Sequence, residues 1–268
     1  VKFRHAVRLS AAATLIVGAG VLATAPADAA RPSAYTRALL ADRPTALVAG
    51  DRDLVTGRRS GTLHGDARLT RMRNGDRAVV LDGAGDHVSF RSSRRFSIAT
   101  KGVLTVDYLI RPDTLQFADD EGSGYVYVLG KGSPGQHEWY ARMYSRRNDE
   151  NRPNRLSGYA FNARGGLGAG SYVQTKVVPR RWIHMTLVFN ARATSSRYPS
   201  GYVKIYRNGV LRDTDSLADY RIRPTRGSAP LRIGTGYLQS YFKGAVGPVA
   251  FYDRELPAAR IRAHERAR

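Results

Sequence analysis

The sequence predicts an all-β protein, an antiparallel sandwich of two sheets, and three observations carry that prediction. About a dozen short runs read as strands, either alternating apolar with polar residues or staying apolar throughout. Glycine, proline, asparagine and aspartate punctuate the runs, as the corners of antiparallel sheets require. Helical periodicity is almost absent. The pattern is clearest over residues 182–252, around which the rest of the chain is organised. There Ile183, Met185, Leu187 and Phe189 share one face by period-2 alternation, so that strand is expected to bury one side. A run over 202–207 leads into Asn208-Gly209 and a short run over 210–212. Asn-Gly between strands marks a type I′ hairpin, because both central residues need positive φ. The segment 231–235 and a closing strand over 244–253 follow, with Gly247-Pro248 as an expected bulge.

At 268 residues the chain is long for one domain but ordinary for a large sandwich, and no repeat or linker divides it. Lys2, Arg4 and Arg8 precede an apolar run over 11–23, and Ala27-Asp28-Ala29 follows it. This order of charge, apolar core and small residues predicts a secretory signal over 1–29, leaving a single domain over 30–268 in the extracellular space. The run is shorter than the roughly 20 residues of a spanning helix, and no second one exists, so the mature chain is expected to have no membrane span. No twin arginine is present within residues 1–29, which favours the general secretory route. The chain contains no cysteine, which excludes disulfides, thiolate metal sites, a cysteine nucleophile and a lipidated cysteine.

The net charge of +21 becomes +19 once Lys2, Arg4, Arg8 and Asp28 are removed. A surface of this sign attracts acidic polysaccharides, cell-wall polymers or nucleic acid. Only six of the basic residues are Lys, however, and an Arg- and Ala-rich composition is what a GC-rich genome encodes. The charge is also spread along the chain, with no basic block interleaved by aromatics, so no specific nucleic-acid partner is expected.

Taken in order, Ala34–Ala41 is expected to form one short helix, stopped by Asp42-Arg43-Pro44. Residues 50–76 show little periodicity apart from a short strand over Gly61–His64. Strands over 78–82 and 87–90 flank Gly83-Ala84-Gly85, whose glycines supply the corner. The run 103–111 is the best strand of the first half and ends before Pro112. Strands over 125–129, 138–144, 156–162 and 171–177 follow, with a polar loop over 146–154 and glycines at 165, 166, 168 and 170 between them. This succession argues a jelly roll.

With these elements in place, residues from about 35 to 264 resemble the laminin-G-like jelly rolls of the concanavalin A-like lectin and glucanase superfamily. The resemblance rests on Leu81-Asp82-Gly83 with Asp86-His87-Val88, on Leu104-Thr105-Val106-Asp107 through Arg111-Pro112-Asp113, on Trp182-Ile183-His184, and on the closing strand with Leu256. Residues 132–139, 152–155 and 165–172 are similar to a secreted actinobacterial branch. Two departures stand out: the tryptophan of the first strand is missing near residues 45–50, and Gly247 stands where relatives carry an acidic residue. The resemblance implies a concanavalin A-like fold with no required cofactor and a structural calcium as an option, for which Asp82 is the candidate ligand. Calcium takes several oxygens, so the lost carboxylate counts against it, and Asp82 equally fits a turn cap.

Glucanases of this superfamily carry two carboxylates on one strand, and no such strand is present. The cluster Asp119-Asp120-Glu121 falls in a glycine-rich loop, Asp213 and Asp215 follow the hairpin, and Asp107 and Glu138 stand alone on their strands. Gln136-His137 and Tyr172-Val173-Gln174 fall in the order of two motifs of alginate-type lyases, but the arginine-rich first motif is missing. Ser157 and Ser171 have no base at motif spacing, and 165–170 lacks the ending of a phosphate loop. His184, opposite the apolar face of its strand, is either a ligand contact or a hydrogen-bonded structural histidine.

The leading expectation is therefore a secreted, non-catalytic module that binds polysaccharide or cell-wall glycan, acidic ones included, or acts in adhesion. A polysaccharide lyase or glycoside hydrolase on the same fold, and a charge-driven binder of anionic polymers, are the alternatives. Sugar rings stack on aromatic faces, while Arg, Asn and Gln hold hydroxyls or acidic groups. The candidate ligand-binding residues are Trp139, Arg142, Tyr144, Asn154, Arg155, Tyr159, Asn162, Tyr172 and Gln174, which bracket the longest polar insertion. Alternating aromatics in strands also serve as core or cross-strand pairs. Nothing in the sequence sets the oligomeric state.

Overall fold

The computed structural model describes residue 1 and residues 31–268, so the secretory-signal reading rests on residues outside the described ones. Seventeen strands follow one short helix, α1 (Ala34–Ala41). They are β1 (Ala46–Ala49), β2 (Arg52–Asp53), β3 (Arg58–Arg59), β4 (Gly61–His64), β5 (Arg68–Arg71), β6 (Arg77–Asp82), β7 (His87–Phe90) and β8 (Val103–Pro112). Next come β9 (Tyr125–Lys131), β10 (Trp139–Tyr144), β11 (Leu156–Ala160), β12 (Ala169–Tyr172) and β13 (Ile183–Asn190). The last are β14 (Tyr202–Arg207), β15 (Val210–Ser216), β16 (Leu231–Ile233) and β17 (Lys243–Tyr252), and a second helix, α2 (Ala258–Ala267), closes the domain.

All strand pairs are antiparallel, in two sheets, as the alternation predicts. The first runs β15-β14-β13-β8-β17-β1-β2-β3, with β6 also on β17 and β5 on β6; the second runs β12-β11-β10-β9-β16-β7-β4. Gly83 to Gly85 thus carry the chain from one sheet to the other, which is the corner those glycines announce. Asn208 and Gly209 both take positive φ, 51° and 74°, and close the β14–β15 hairpin as a primed turn. The register of β17 on β8 shifts between Val246 and Val249, the bulge expected at Gly247-Pro248. A Cβ on Gly247 would stand 3.1 Å from both the Leu109 Cβ and the Met72 sulfur, so this apolar contact leaves no room for the carboxylate of relatives.

The core lies between the sheets. Val106, Tyr108 and Ile110 of β8, Ile183 to Phe189 by alternation on β13, and Val246, Val249 and Phe251 of β17 meet Val126, Val128, Trp139, Ala141, Met143 and Leu156. Burying such side chains contributes roughly 1.5–3 kcal/mol each.

The first sheet buries its other face too, which alternation on β13 did not suggest. Tyr35 and Leu39 of α1, with Leu256 and with Ile261 of α2, cover Leu47, Leu109, Val188, Ala250 and Tyr252. Of the two readings of His184, the structure bears out the hydrogen-bonded structural histidine: it is fully buried and bonded to Asp107. Helix α2 was missed, because Pro257 at its N-cap and a mostly charged sequence mask a stripe formed by Ile261 and His264. Strands β2, β3 and β5 were missed for a related reason: they are short and rich in arginine at the sheet margins, and their apolar signal is reduced to Leu69, while Asp53 is held by an ion pair with Arg95 and Arg59 by one with Asp51. β12 also begins and ends earlier than the expected 171–177. Among the described residues, no helix is long and apolar enough to cross a membrane.

Candidate functional site

The outer face of the second sheet carries a cleft of about 750 Å³. Strand alternation builds it. On β10, Trp139, Ala141 and Met143 enter the core, so Tyr140, Arg142 and Tyr144 must point outward. On β11 and just beyond, Tyr159 and Phe161 share that outward phase, and Tyr172 does so on β12. The register between β9 and β10 slips at Ala141/Arg142, so that Leu129 faces Ala141 but Tyr127 faces Arg142. This bulge lets Val128 and Leu129 both join the core while Tyr125 and Tyr127 stay on the cleft side.

The result is a floor of mutually tilted rings. Tyr127 lies 4.6 Å from Tyr140 and 5.2 Å from Tyr237 by ring centroids, and Tyr140 lies 5.6 Å from Phe161. The Arg142 guanidinium sits between two of them, 4.3 Å from the Tyr125 centroid and 4.2 Å from that of Tyr159. The Tyr144 and Tyr159 hydroxyls are 3.1 Å apart, and Arg152 Nη1 donates to both, at 3.2 and 3.3 Å. Arg152 also lies over Tyr172, at 4.6 Å. His137 Nδ1 is 2.9 Å from the Tyr140 hydroxyl, and the Tyr237 hydroxyl donates to Glu121 at 2.6 Å.

Burial raises the pKa of Tyr127, Tyr140, Tyr159 and Tyr237, that of Tyr237 to about 12 with Glu121 adding to the effect, so these four hydroxyls stay neutral hydrogen-bonding groups. Burial likewise lowers the His137 pKa, which favours a neutral ring. Asp215 lines the far end with Asp219 and Glu150. Its pKa rises to about 6, first by burial and then by the charges of Asp213 and Asp219.

Of the nine candidate ligand-binding residues, Arg142, Tyr144, Tyr159 and Tyr172 line this cleft. Trp139 corrects an expectation. It is fully buried with Nε1 donating to the Phe96 carbonyl, since its odd position on β10 puts it in the opposite phase from Arg142. Arg155 bonds Gln174 at 3.0 Å outside the cleft lining, Asn162 ties down residues 221–223, and Asn154 holds a left-handed corner with φ 62°. Tyr125, Tyr127, His137, Tyr140, Arg152, Phe161 and Tyr237 were missed. For Tyr125, Tyr127 and Tyr140 the signal was there, in the same alternation that marks Arg142 and Tyr144.

The single strand carboxylates are structural. Asp107 is buried beneath α1 and α2, and Glu138 forms a buried ion pair with Lys131 and accepts from the Gly227 amide at 2.9 Å. Asp120 accepts from Ser145 and Arg147. Of the residues shared in order with lyases, His137 and Tyr172 line the cleft, whereas Gln136 bonds Ser228.

Asp82 does not stand alone. Ligand atoms of Asp66, Asp82 and Asp86 lie within 4.8 Å of one another. Both Asp86 oxygens accept backbone N–H groups, from Asp66 and Asp82, and Asp82 accepts from Ala84, so each is also a turn cap. The Asp86 carboxyl has a raised pKa, mainly from burial, with the Asp82 charge contributing. Three carboxylates so arranged fit a hard, oxygen-seeking cation, although calcium requires further oxygens.

Residues 82–262 match the family model described as the concanavalin A-like lectin/glucanases superfamily. No curated protein sequence matches the chain. Among solved structures, domain 4 of AbnA, an extracellular GH43 arabinanase from Geobacillus stearothermophilus solved with arabinotriose, is similar at 16% identity and a TM-score of 0.58, covering 83% of this chain and 98% of that one. The ligand binding domain of botulinum neurotoxin serotype D, in complex with N-acetylneuraminic acid, is similar at 12% identity and a TM-score of 0.61, covering 85% of this chain and 52% of that one. The binding domain of botulinum neurotoxin DC in complex with rat synaptotagmin II is similar at 12% identity and a TM-score of 0.61, covering 84% and 52%. The chain thus spans about half the length of these neurotoxin domains, and the likeness is one of fold.

Proposed function

The chain belongs to the concanavalin A-like lectin/glucanase superfamily, and we propose that it is a secreted carbohydrate-binding module whose site is the tyrosine-lined cleft of the second sheet. The observation that carries this reading is the ring floor itself. Tyr125, Tyr172 and Tyr237 line one open concavity as half-buried rings, over a floor of buried Tyr127, Tyr140 and Phe161, so that sugar rings can stack on the partly exposed aromatic faces and hydroxyls can meet phenols. That neighbours of the same fold were solved with arabinotriose and N-acetylneuraminic acid supports an oligosaccharide as ligand. Export follows from the charge and apolar order of residues 1–29, in keeping with the secreted actinobacterial branch that the chain resembles.

A structural calcium is part of the proposal, with Asp66, Asp82 and Asp86 as its carboxylate ligands. The test is a glycan and cell-wall binding screen run with and without a chelator. Binding that survives about 0.5 M salt supports stacking, binding that collapses there points to the basic surface, and uniform absence of binding overturns the reading.

His137 against the Tyr140 hydroxyl inside the cleft favours one second reading, a lyase acting on uronic-acid polymers. New ultraviolet absorbance from unsaturated ends would establish it, and its absence with every uronic-acid polymer would dismiss it.

A further inference from the structure

We propose that Arg142 reads a carboxylate, so that the cleft takes an acidic sugar of the uronate class. This inference rests on the carbohydrate-binding reading above. Arg142 is only 9% exposed, yet it pairs with no carboxylate among the described residues. Its one hydrogen bond is a long contact of 3.5 Å to the Tyr144 hydroxyl, and its Nε has no partner. Burying an unpaired cation costs several kcal/mol, and folded proteins normally compensate it with an anion. This chain does so elsewhere: Lys131, fully buried, has Glu138.

The surroundings of Arg142 sharpen the inference. The guanidinium lies 4.3 and 4.2 Å from the Tyr125 and Tyr159 ring centroids, close enough for cation–π attraction. These contacts leave Nε without an acceptor, and the Tyr144 hydroxyl at 3.5 Å is the one oxygen that its other N–H groups reach. A second guanidinium, Arg152, approaches the same Tyr144 hydroxyl from the other side. Two cations converging on one phenol oxygen repel each other. Only Arg152 has a carboxylate, Glu150 at 3.2 Å, and that pair is exposed. The uncompensated positive charge therefore sits on the cleft floor at Arg142, beside rings that can stack a pyranose. A ring-borne carboxylate supplies what is missing, a planar anion that can accept the guanidinium N–H groups while its sugar lies on the tyrosines. Glu150, Asp215 and Asp219 also line the cleft, and Glu150 is already paired with Arg152.

The experiment compares ligands that differ only in the carboxyl group. Galacturonate, mannuronate and glucuronate trisaccharides are titrated by calorimetry in about 0.5 M NaCl, each against its carboxyl-reduced counterpart of galactose, mannose or glucose, so that general surface attraction is screened. At least one acid is expected to bind roughly tenfold or more tighter than its neutral counterpart, as a charge-assisted hydrogen bond implies. In Arg142→Gln the ratio of acid to neutral affinity should fall to about one. Equal affinity for acid and neutral forms, or a preference that persists in Arg142→Gln, overturns the inference and leaves the carbohydrate-binding reading intact. Absence of binding by acid and neutral sugars alike overturns both. If Arg142→Gln fails to fold, the ligand pairs on the wild-type chain decide the matter.

Discussion

His184 Nε2 lies 2.8 Å from Asp107 Oδ1, and neither side chain touches solvent. His264 reaches the other oxygen at 3.2 Å, and Tyr35 and Thr186 donate to the same carboxylate. One buried anion thus ties β8 and β13 to α1 and α2. Asp107→Asn removes the carboxylate that both histidines share, leaving His184 only Glu265 at 3.4 Å and His264 only Asp42 at 2.7 Å. A loss of about 3–5 kcal/mol is expected, as for other broken buried pairs. Urea unfolding measures it, and a change below about 1 kcal/mol would mean that the network does not hold the helices in place.

The same network sets a pH dependence. Burial alone would lower the His184 pKa, but the Asp107 charge and hydrogen bond outweigh it, with help from Glu265, and raise it to about 9. Its unfolded value is about 6.5. The stabilisation is therefore complete below about pH 6.5 and is lost as pH rises to about 9, amounting to roughly 1–3 kcal/mol. Asp107 shows the other half of the same interaction. Burial would raise its pKa, but His184 and then His264 hold it well below the usual carboxylate range, so acid removes the pairing only at very low pH. The melting temperature should fall by about 2–10 °C between pH 6.5 and 9. A flat profile over that interval would contradict the assignment.

The two faces of the second sheet should separate cleanly on mutation. Trp139→Ala empties a core position and is expected to cost about 3–5 kcal/mol of stability. Tyr172→Ala, on a half-buried cleft ring, should leave the melting temperature within a few degrees and weaken oligosaccharide binding by roughly tenfold. Paired melting and binding measurements check this, and an unchanged affinity in Tyr172→Ala would remove that ring from the site.

Asp215 gives the cleft a titration of its own near neutrality. With its pKa raised to about 6, first by burial and then by Asp213 and Asp219, it gains a negative charge as pH rises through that value. Arg152 acts on it in the opposite direction. An acidic oligosaccharide should therefore bind more weakly at pH 7.5 than at pH 5, by about two- to fivefold, as expected for partly exposed charges. A neutral sugar should show no such change. Titrations at the two pH values test the difference.

Calcium should raise the melting temperature if Asp66, Asp82 and Asp86 hold it. At a hundredfold excess over the dissociation constant the gain is about 2.7 kcal/mol. Asp66→Asn, which changes an exposed carboxylate of the three, should reduce that gain. Identical melting in calcium and in chelator would leave these residues as turn caps only.

Much of the scaffold could be read from the sequence because burial writes itself as alternation. Ile183, Met185, Leu187 and Phe189, the Asn208-Gly209 turn and the Gly247-Pro248 bulge all stand where local chemistry puts them. Four of the cleft residues were legible in the same way. Trp139 was misplaced because its aromatic type was weighed above its phase on β10. Tyr237 could not be read, since it comes from a loop that only the fold brings to Tyr140, whereas His137, three residues before Tyr140, was legible only as part of the Gln136-His137 motif. The outer cover over His184 was hidden for a different reason. A strand buried on both faces, with Asp107 and His184 satisfying each other, looks polar on one side in sequence.

The convergence on Asp107 has a consequence for when the domain can form. Tyr35 precedes that carboxylate by 72 residues, and His264 follows it by 157. During synthesis the anion therefore emerges long before its last counter-charge exists. Until residue 264 has left the ribosome, closing the sandwich would strand a partly compensated charge beneath an uncovered sheet. Native closure therefore waits on residue 264, and a chain of this fold cut before it should stay open however many of its strands are present.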